Sequence, residues 1–166
     1  YKRQLVSFGC ALIAAEKSES ELSTKPRPSI TALRVDIPPV IDGRMDDEAW
    51  KNATTGSDFV QFEPIEGVPM TERTEFRVLY DGKALYIGFW CYDSEPNKIL
   101  ARTLSRDDWP DEDDFIHFAI DPFLDRRNGY LFAINPNGSR FDAIINNNAY
   151  AGNSWDTIWD CRSSIN

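Results

Sequence analysis

The chain has 166 residues, 42% of them hydrophobic and 13% aromatic, which is the usual length of one domain and enough apolar material to bury one core. Lys and Arg total 18 against 27 Asp and Glu, so the net charge is −9. Because a phosphate backbone would repel this charge, the composition argues against nucleic acid as a partner.

The first elements in chain order resemble a clipped secretory signal peptide over residues 1–15. Lys2 and Arg3 form a positive flank, and an apolar run of 11 residues follows and ends in Ala14 and Ala15. This run is shorter than the roughly 20 apolar residues that a membrane-spanning helix needs. A signal peptide is therefore predicted, with an ordinary buried helix as the alternative.

A polar, turn-rich stretch over residues 16–30 follows and is typical of a linker. Residues 31–166 are then predicted to form the folded domain. Within this domain Cys91 and Cys161 could pair in an oxidising compartment, although a small buried thiol is the commoner role of such residues.

The sequence DDEAWKNA (46–53) carries the one helical pattern, with Asp46 or Asp47 as a plausible N-cap. The helix is expected to be short. Every other apolar segment of the domain has the character of a strand.

A β-hairpin is predicted from the alternation of residues in 72–80. Asp81-Gly82 tolerates the positive φ angles of a type I′ turn, so residues 83–92 are expected to return antiparallel. A two-residue loop at this position would set Val78 opposite Leu85. One face of the hairpin is then core, and the other is aromatic and basic.

The second face of this hairpin carries an aromatic stripe of Tyr86, Trp90 and Tyr92. One interpretation is a surface that stacks a flat ligand. The other is a structural surface, covered by Arg73 and Arg77 through cation–π contacts and by a second sheet.

Six carboxylates surround one tryptophan in RDDWPDEDD (106–114). This segment could be a calcium loop, a loop that stacks a ligand on Trp109, or a solvated connection between strands. Calcium takes six to eight oxygen ligands, and the loop supplies enough carboxylates. Its spacing is not that of an EF-hand, because Pro110 interrupts the pattern.

Two further strands are predicted over 114–121 and 129–135, and Asn137-Gly138 is a strong hairpin signal after the second. A two-residue loop would set Phe141 opposite Ile134. Many short strands, tight turns and one short helix together predict an antiparallel β-sandwich.

Catalytic signatures are not found in the sequence. There is no G-x-S-x-G or phosphate loop, and the one histidine, His117, lies in the middle of a predicted strand. Paired acids for glycoside hydrolysis need a defined separation that sequence cannot set. We therefore do not expect the chain to be an enzyme.

Four segments resemble the family 9 carbohydrate-binding module in order and spacing, over roughly residues 35–160. They resemble in particular the family 9-like N-terminal domain of bacterial secreted proteins of unknown function, which an outer-membrane-barrel-like region often follows. The segments are VIDGRMDDEAW (40–50), RVLYDGKALYIGFWCYD (77–93), DDFIHFAID (113–121) and NGYLFAINPNG (128–138).

This resemblance implies an all-β, jelly-roll-like sandwich with one short helix that lacks its last strands, binds an oligo- or polysaccharide and often carries structural calcium. It places Trp109 at a position where the family clamps sugar, since an indole face suits sugar C–H groups and carboxylates accept hydroxyl hydrogen bonds. The site residues expected on this basis are Trp109, Asp108, Asp111 and Asn135 for carbohydrate, and Asp113 and Asp114 for the metal.

The function implied is that of a non-catalytic carbohydrate-binding module of a secreted bacterial protein, accessory to polysaccharide breakdown by a hydrolase. The alternative is a periplasmic structural or interaction domain that precedes an outer-membrane barrel and lacks sugar affinity. Either function places the protein in the periplasm, at the outer membrane or outside the cell. Trp155 and Trp159 are expected to be packed residues rather than ligand contacts.

Overall fold

The computed structural model describes residues 6–7 (backbone only), 28–150 and 155–165. The predicted all-β class is confirmed, because these residues form two sheets and very little helix. The elements, in chain order, are β1 (Val6–Ser7), β2 (Leu33–Arg34), α1 (Glu48–Lys51), β3 (Thr74–Tyr80), β4 (Leu85–Cys91), a 3₁₀ turn (Pro96–Lys98), β5 (Ile116–Ile120), β6 (Gly129–Ile134), β7 (Arg140–Asn146) and β8 (Ala149–Tyr150).

The smaller sheet has the strand order β2-β3-β4, and the larger has the order β1-β5-β6-β7-β8. The strands β3 to β4 and β5 to β8 follow one another as antiparallel neighbours. The jelly-roll connectivity stays a prediction. Apart from Val6–Ser7, the signal-peptide stretch lies outside the described residues, as does most of the linker. No helix among the described residues is long and apolar enough to cross a membrane.

The β3–β4 hairpin forms as predicted, but its register differs by two residues. Val78 pairs with Ile87 rather than Leu85. The turn closes between Asp81 and Ala84, where the Asp81 carboxylate accepts the backbone N–H of Ala84 at 2.8 Å and the Asp81 N–H donates to the Ala84 carbonyl at 3.1 Å. A shift of two residues keeps every side chain on its predicted face.

The predicted type I′ turn is wrong, because Gly82 does not have a positive φ. The Asp81 side chain organises the turn by accepting the backbone N–H of Lys83 at 2.7 Å. This is the Asx-type bond that short acidic side chains make to backbone two residues ahead.

The β6–β7 hairpin has a register one residue away from the prediction. Ile134 pairs with Arg140, not with Phe141. The loop holds three residues instead of two, with Asn135 N–H donating to the Ser139 carbonyl at 3.2 Å. A shift of one residue reverses the face that each partner presents.

The loop is longer because Gly138, and not an Asn-Gly pair, carries the left-handed conformation, with φ at +80°. A type I turn followed by a left-handed residue is the common three-residue hairpin loop.

Substitution Gly138→Ala is expected to lower the free energy of unfolding by about 1 kcal/mol, since a Cβ is unfavourable at this φ. Gly82→Ala is the matched control and should be nearly neutral, because open space surrounds Gly82 and its φ is ordinary. Urea denaturation of the two variants measures both, and equal stabilities would contradict the assigned turns.

One face of the larger sheet carries a buried cluster that results from this register. Its members are Leu131, Ala133, Phe141 and Ala143. The opposite face carries Phe118 and Phe132, which face the smaller sheet.

Stacked phenylalanines join the two sheets. Phe76 and Phe89 of the smaller sheet have ring centroids 6.1 Å apart, and Phe89 lies 5.8 Å from Phe118 of the larger sheet. Phe118 in turn stacks on Phe132 at 5.3 Å. Aromatic pairs at these distances contribute beyond the area that they bury, so this column holds the two layers together.

The short helix α1 covers one half of the outer face of the smaller sheet. Asp47 occupies the N-cap position, but its carboxylate accepts the backbone N–H of Val40 at 3.2 Å instead of capping the helix. Trp50 packs with the fully buried Leu79. Gly88 lies beneath, where a Cβ would approach the Trp50 ring to 3.1 Å.

The C-terminal segment, residues 155–165, is anchored to the larger sheet by the buried Asp142. Its carboxylate accepts the Trp159 indole N–H and the Thr157 backbone N–H, each at 3.0 Å. Trp155 stacks on Tyr130 with ring centroids 4.8 Å apart. Both tryptophans are therefore packed against the sheet, as the sequence predicted.

Candidate functional site

The acidic loop over residues 106–114 lies at one end of the larger sheet. Asp107 donates its backbone N–H to the Arg140 carbonyl at 2.9 Å, so the loop starts alongside β7. The Ser139 hydroxyl donates to the Ser105 carbonyl at 2.6 Å and ties the loop to the β6–β7 turn.

Trp109 turns inward from this loop and packs on the buried cluster of the larger sheet. Its ring meets Phe141 at 5.0 Å and Phe115 at 5.1 Å, both edge to face, and His117 at 6.0 Å. The ring is half-buried, and Pro110 beside it is buried. Trp109 thus takes part in the packing of the domain.

Asn135 and Asp113 form a buried polar hub beneath the loop. The Asn135 amide donates to Asp113 Oδ2 and to the Thr103 carbonyl, both at 2.8 Å. Its carbonyl accepts the backbone N–H groups of Asn137 at 3.1 Å and Ser139 at 2.9 Å. Every donor and acceptor of Asn135 that a sugar would need is therefore occupied within the protein.

The Asp113 carboxylate also accepts the backbone N–H of Arg102 at 2.7 Å and of Thr103 at 2.8 Å. Burial, the largest single influence, would raise the pKa of Asp113. The hydrogen bonds from Arg102, Asn135 and Thr103 outweigh it, and the pKa of this carboxyl lies below its ordinary value.

The predicted metal ligands, Asp113 and Asp114, accept N–H groups of the protein in this arrangement. Both oxygens of Asp113 are occupied by N–H donors, and Asp114 Oδ2 accepts the Leu100 backbone N–H at 2.8 Å. Calcium requires oxygen ligands with free lone pairs. Among the described residues, no group of three or more His, Cys, Asp and Glu side chains is placed to hold a metal. Calcium binding by the domain stays a prediction.

Asp108 and Asp111 are exposed on the surface of the acidic loop. The structure therefore divides the predicted site. Asn135 and Asp113 form the hub, and Trp109 packs on the buried cluster. Asp114 is half-buried and accepts the Leu100 N–H, whereas Asp108 and Asp111 are exposed to solvent.

Two neighbouring exposed rings lie on the smaller sheet, where Trp90 and Tyr92 form what we call the aromatic platform. Each residue is 41% exposed, and their ring centroids are 6.0 Å apart with planes inclined by 31°. They are neighbours on one face of β4 and its continuation, since alternate residues of a strand share a face. β4 is the last strand of its sheet within the described parts of the chain.

An arginine and a glutamate border the platform. The Arg73 guanidinium lies over the Tyr92 ring at 5.3 Å, a cation–π distance, and forms an ion pair with Glu75. Glu75 is directly opposite Trp90 in the sheet register. A hydrogen-bond donor, Arg73, and an acceptor, Glu75, therefore adjoin the rings, and as an ion pair the two side chains carry no net charge.

The predicted aromatic stripe is thus divided in two by the helix. Tyr86 is half-buried under α1, and its hydroxyl donates to Asp81 at 3.0 Å. Arg77 bonds to Thr55 at 3.0 Å and to the Trp50 carbonyl at 3.2 Å, so it is not a cation–π lid. The prediction of such a lid holds for Arg73 and is wrong for Arg77.

His117 lies beside Trp109 on the face of the larger sheet that carries the buried cluster, where it pairs with Ala133. Its Nδ1 is buried and has no hydrogen-bond partner in the part of the chain that the structure describes. Burial lowers the pKa of His117 and favours the neutral ring. The ring lies 6.0 Å from Trp109 and 5.7 Å from Phe115, so His117 takes part in the aromatic packing of this face.

Cys91 and Cys161 are free thiols. Burial raises the pKa of Cys161 to about 11, so this thiol stays protonated at neutral pH.

Comparison with known proteins assigns no family to the chain, since no protein-family model, curated protein or solved structure matches it.

Proposed function

We propose that this domain is a non-catalytic carbohydrate-binding module and that the aromatic platform, Trp90 and Tyr92, is its sugar-stacking surface. The observation that carries the proposal is the pair of neighbouring, similarly inclined rings exposed on a sheet face. Trp and Tyr combine a large apolar face with a polar group, as a ligand with both C–H faces and hydroxyls requires.

The groups beside the platform suit a neutral sugar. The Arg73 guanidinium donates hydrogen bonds only, and the Glu75 carboxylate accepts them only. As an ion pair they add no net charge beside the rings, and Arg73, whose side chain is 62% exposed against 13% for Glu75, is the more accessible of the two groups to a hydroxyl-rich ligand. The chemistry is that of binding, and we assign no bond-breaking step to these residues.

The wider context of the proposal comes from the sequence. An oligo- or polysaccharide is the ligand class, and the full-length protein acts outside the cytoplasm, with a hydrolase or an outer-membrane barrel in the same chain. Support for secretion is the pattern of residues 1–15 together with the family resemblance. Structural calcium belongs to the same proposal, as the family resemblance implies.

The alternative from the sequence is a periplasmic structural or interaction domain that precedes an outer-membrane barrel and lacks sugar affinity. The exposed apolar residues Phe123 and Leu124 favour it. They lie in the loop between β5 and β6 and are independent of the platform, so the two functions can be tested separately.

Trp90→Ala is expected to weaken glycan binding by at least about tenfold, because a central aromatic residue commonly contributes more than about 1.4 kcal/mol to an interface. Titration calorimetry with xylo- and cello-oligosaccharides measures the change. Tyr80→Ala is the matched control, since Tyr80 is a similarly exposed aromatic residue, 40%, at the other end of β3.

Two results would contradict the proposal. Equal affinities of the wild type and Trp90→Ala would remove the platform from the site. If the folded wild type binds no glycan of the panel, the carbohydrate-binding function itself is wrong for those sugars.

A further inference from the structure

The end of the larger sheet opposite the acidic loop carries an apolar tip. In the β5–β6 loop, residues 121–128, Phe123 is 68% exposed and Leu124 is 86% exposed. Tyr150 of β8, at the same end of the sheet, is 68% exposed. Two adjacent apolar side chains so fully exposed are unfavourable in water unless a partner covers them.

The loop that presents this tip is held in one conformation by its own carboxylates. Asp121 accepts the backbone N–H groups of Phe123 at 3.0 Å and Arg126 at 2.7 Å. Asp125 accepts those of Arg127 and Asn128, both at 2.8 Å, and the Asn128 side chain at 2.6 Å. The apolar pair is therefore displayed by an ordered scaffold and not by a loosely tethered chain.

Two residues of the loop have an unfavourable backbone conformation. Leu124 has φ at 56° and Arg126 at 59°, in the left-handed region that non-glycine residues rarely adopt. The Asn148 N–H donates to the Arg127 carbonyl at 2.9 Å and fastens the loop to the β7–β8 turn. Strain that the surrounding structure maintains is typical of functional segments.

The acidic and basic side chains of the loop have different surroundings. The carboxylates of Asp121 and Asp125 are turned to backbone N–H groups of the loop. Arg126 and Arg127 are exposed, and neither forms an ion pair within the described parts of the chain. Beside the apolar pair, the loop thus presents two exposed guanidinium groups, while the carboxylates of Asp121 and Asp125 are hydrogen-bonded within the loop. Asp125 also interacts electrostatically with Arg127.

The strong negative charge of the protein does not prevent an anionic partner from approaching this end. The acidic loop lies at the other end of strands of 5–7 residues, a separation of about 17–23 Å. Exposed charges are largely screened beyond about 8 Å at physiological ionic strength. The charges of the acidic loop are therefore largely screened at the tip, where Arg126 and Arg127 are the exposed basic groups.

We propose that the tip, Phe123, Leu124, Arg126 and Arg127, docks on an anionic phospholipid bilayer. The two apolar side chains enter the boundary between headgroups and acyl chains, and the guanidinium groups bind lipid phosphates, which match their planar donor geometry. Juxtaposed arginines add attraction to anionic lipid within the screening distance. The platform, on the other sheet, stays available to a glycan while the tip is bound.

Vesicle flotation of the whole chain tests this docking. The protein should float with phosphatidylcholine vesicles that contain phosphatidylglycerol and much less with phosphatidylcholine alone. The double variant Phe123→Ser, Leu124→Ser should bind at least about tenfold more weakly. Ile158→Ser is the matched control, because Ile158 is a fully exposed apolar residue elsewhere on the surface, and it should bind like the wild type.

Three outcomes would overturn the proposal. These are no flotation of the folded wild type with either vesicle, an equal loss in the control, or unchanged flotation of the double variant. Sedimentation equilibrium without lipid separates a different occupant, since self-association that the double variant abolishes, in the absence of flotation, would assign the tip to a second copy of the chain. Circular dichroism shows whether the variants fold. Glycan titration of the same proteins tests the platform separately, because its result does not depend on whether the tip binds lipid.

Discussion

Trp109→Ala is expected to lower the free energy of unfolding by about 3 kcal/mol and to leave glycan affinity unchanged in the folded protein. The ring packs edge to face on Phe141 and Phe115, so truncation would remove these contacts and leave a cavity against the buried cluster of the larger sheet. Urea denaturation measures the loss. Trp90→Ala is the control, because an exposed substitution usually changes stability by no more than about 0.5 kcal/mol.

A stability of Trp109→Ala equal to that of the wild type would contradict the packing described for this residue. So would a loss of glycan binding in Trp109→Ala at a temperature where the variant is fully folded. Either result would return the sugar site to the acidic loop, where the sequence placed it.

Asp113→Ala is expected to destabilise the protein by about 3 kcal/mol or more. Its carboxylate satisfies the N–H groups of Arg102 and Thr103 and the Asn135 amide, and each buried donor left unpaired costs about 1–3 kcal/mol. Asp111→Ala, an exposed acid of the same loop, is the control and should be nearly neutral. Equal stabilities of these two variants, by urea denaturation, would show that the hub does not hold the loop.

The same carboxylate predicts sensitivity to acid. The pKa of Asp113 is lowered in the folded protein, so its contribution is fully present above the unfolded value of about 3.9. The contribution is lost as the pH falls through the folded pKa, because the unfolded chain then binds the proton more readily. Denaturation at pH 7 and below pH 4 should therefore show a smaller stability difference between wild type and Asp113→Asn at the lower pH.

Alternation of apolar and polar residues was sufficient to predict the strands and the faces of the β3–β4 hairpin. The register was off by two because Asp81 moves the turn toward Ala84, and a shift by two is invisible to a pattern of period two. The β6–β7 register was off by one because Gly138 alone is left-handed, which lengthens the loop. A register error of one residue assigns the β7 side chains to the wrong face of the sheet. In the structure Phe141 pairs with Ala133 and shares its face, whereas the predicted register paired Phe141 with Ile134.

The candidate site was only partly accessible to the same reasoning. Trp90 and Tyr92 were recognised as a stripe because strand alternation puts them on one face. The burial of Trp109 was not, because the path of a nine-residue loop depends on long-range contacts such as that between Asp113 and Asn135. The apolar tip was missed although its signal is local, with Phe123 and Leu124 placed between two turn-forming aspartates.

The most direct test of the account is one calorimetric titration series of the wild type, Trp90→Ala and Trp109→Ala with the same oligosaccharide, at a temperature where all three are folded. We predict that the wild type and Trp109→Ala bind with equal affinity, and that Trp90→Ala binds at least about tenfold more weakly. The opposite pattern, with binding kept in Trp90→Ala and lost in Trp109→Ala, would contradict the assignment of the platform as the sugar-binding surface.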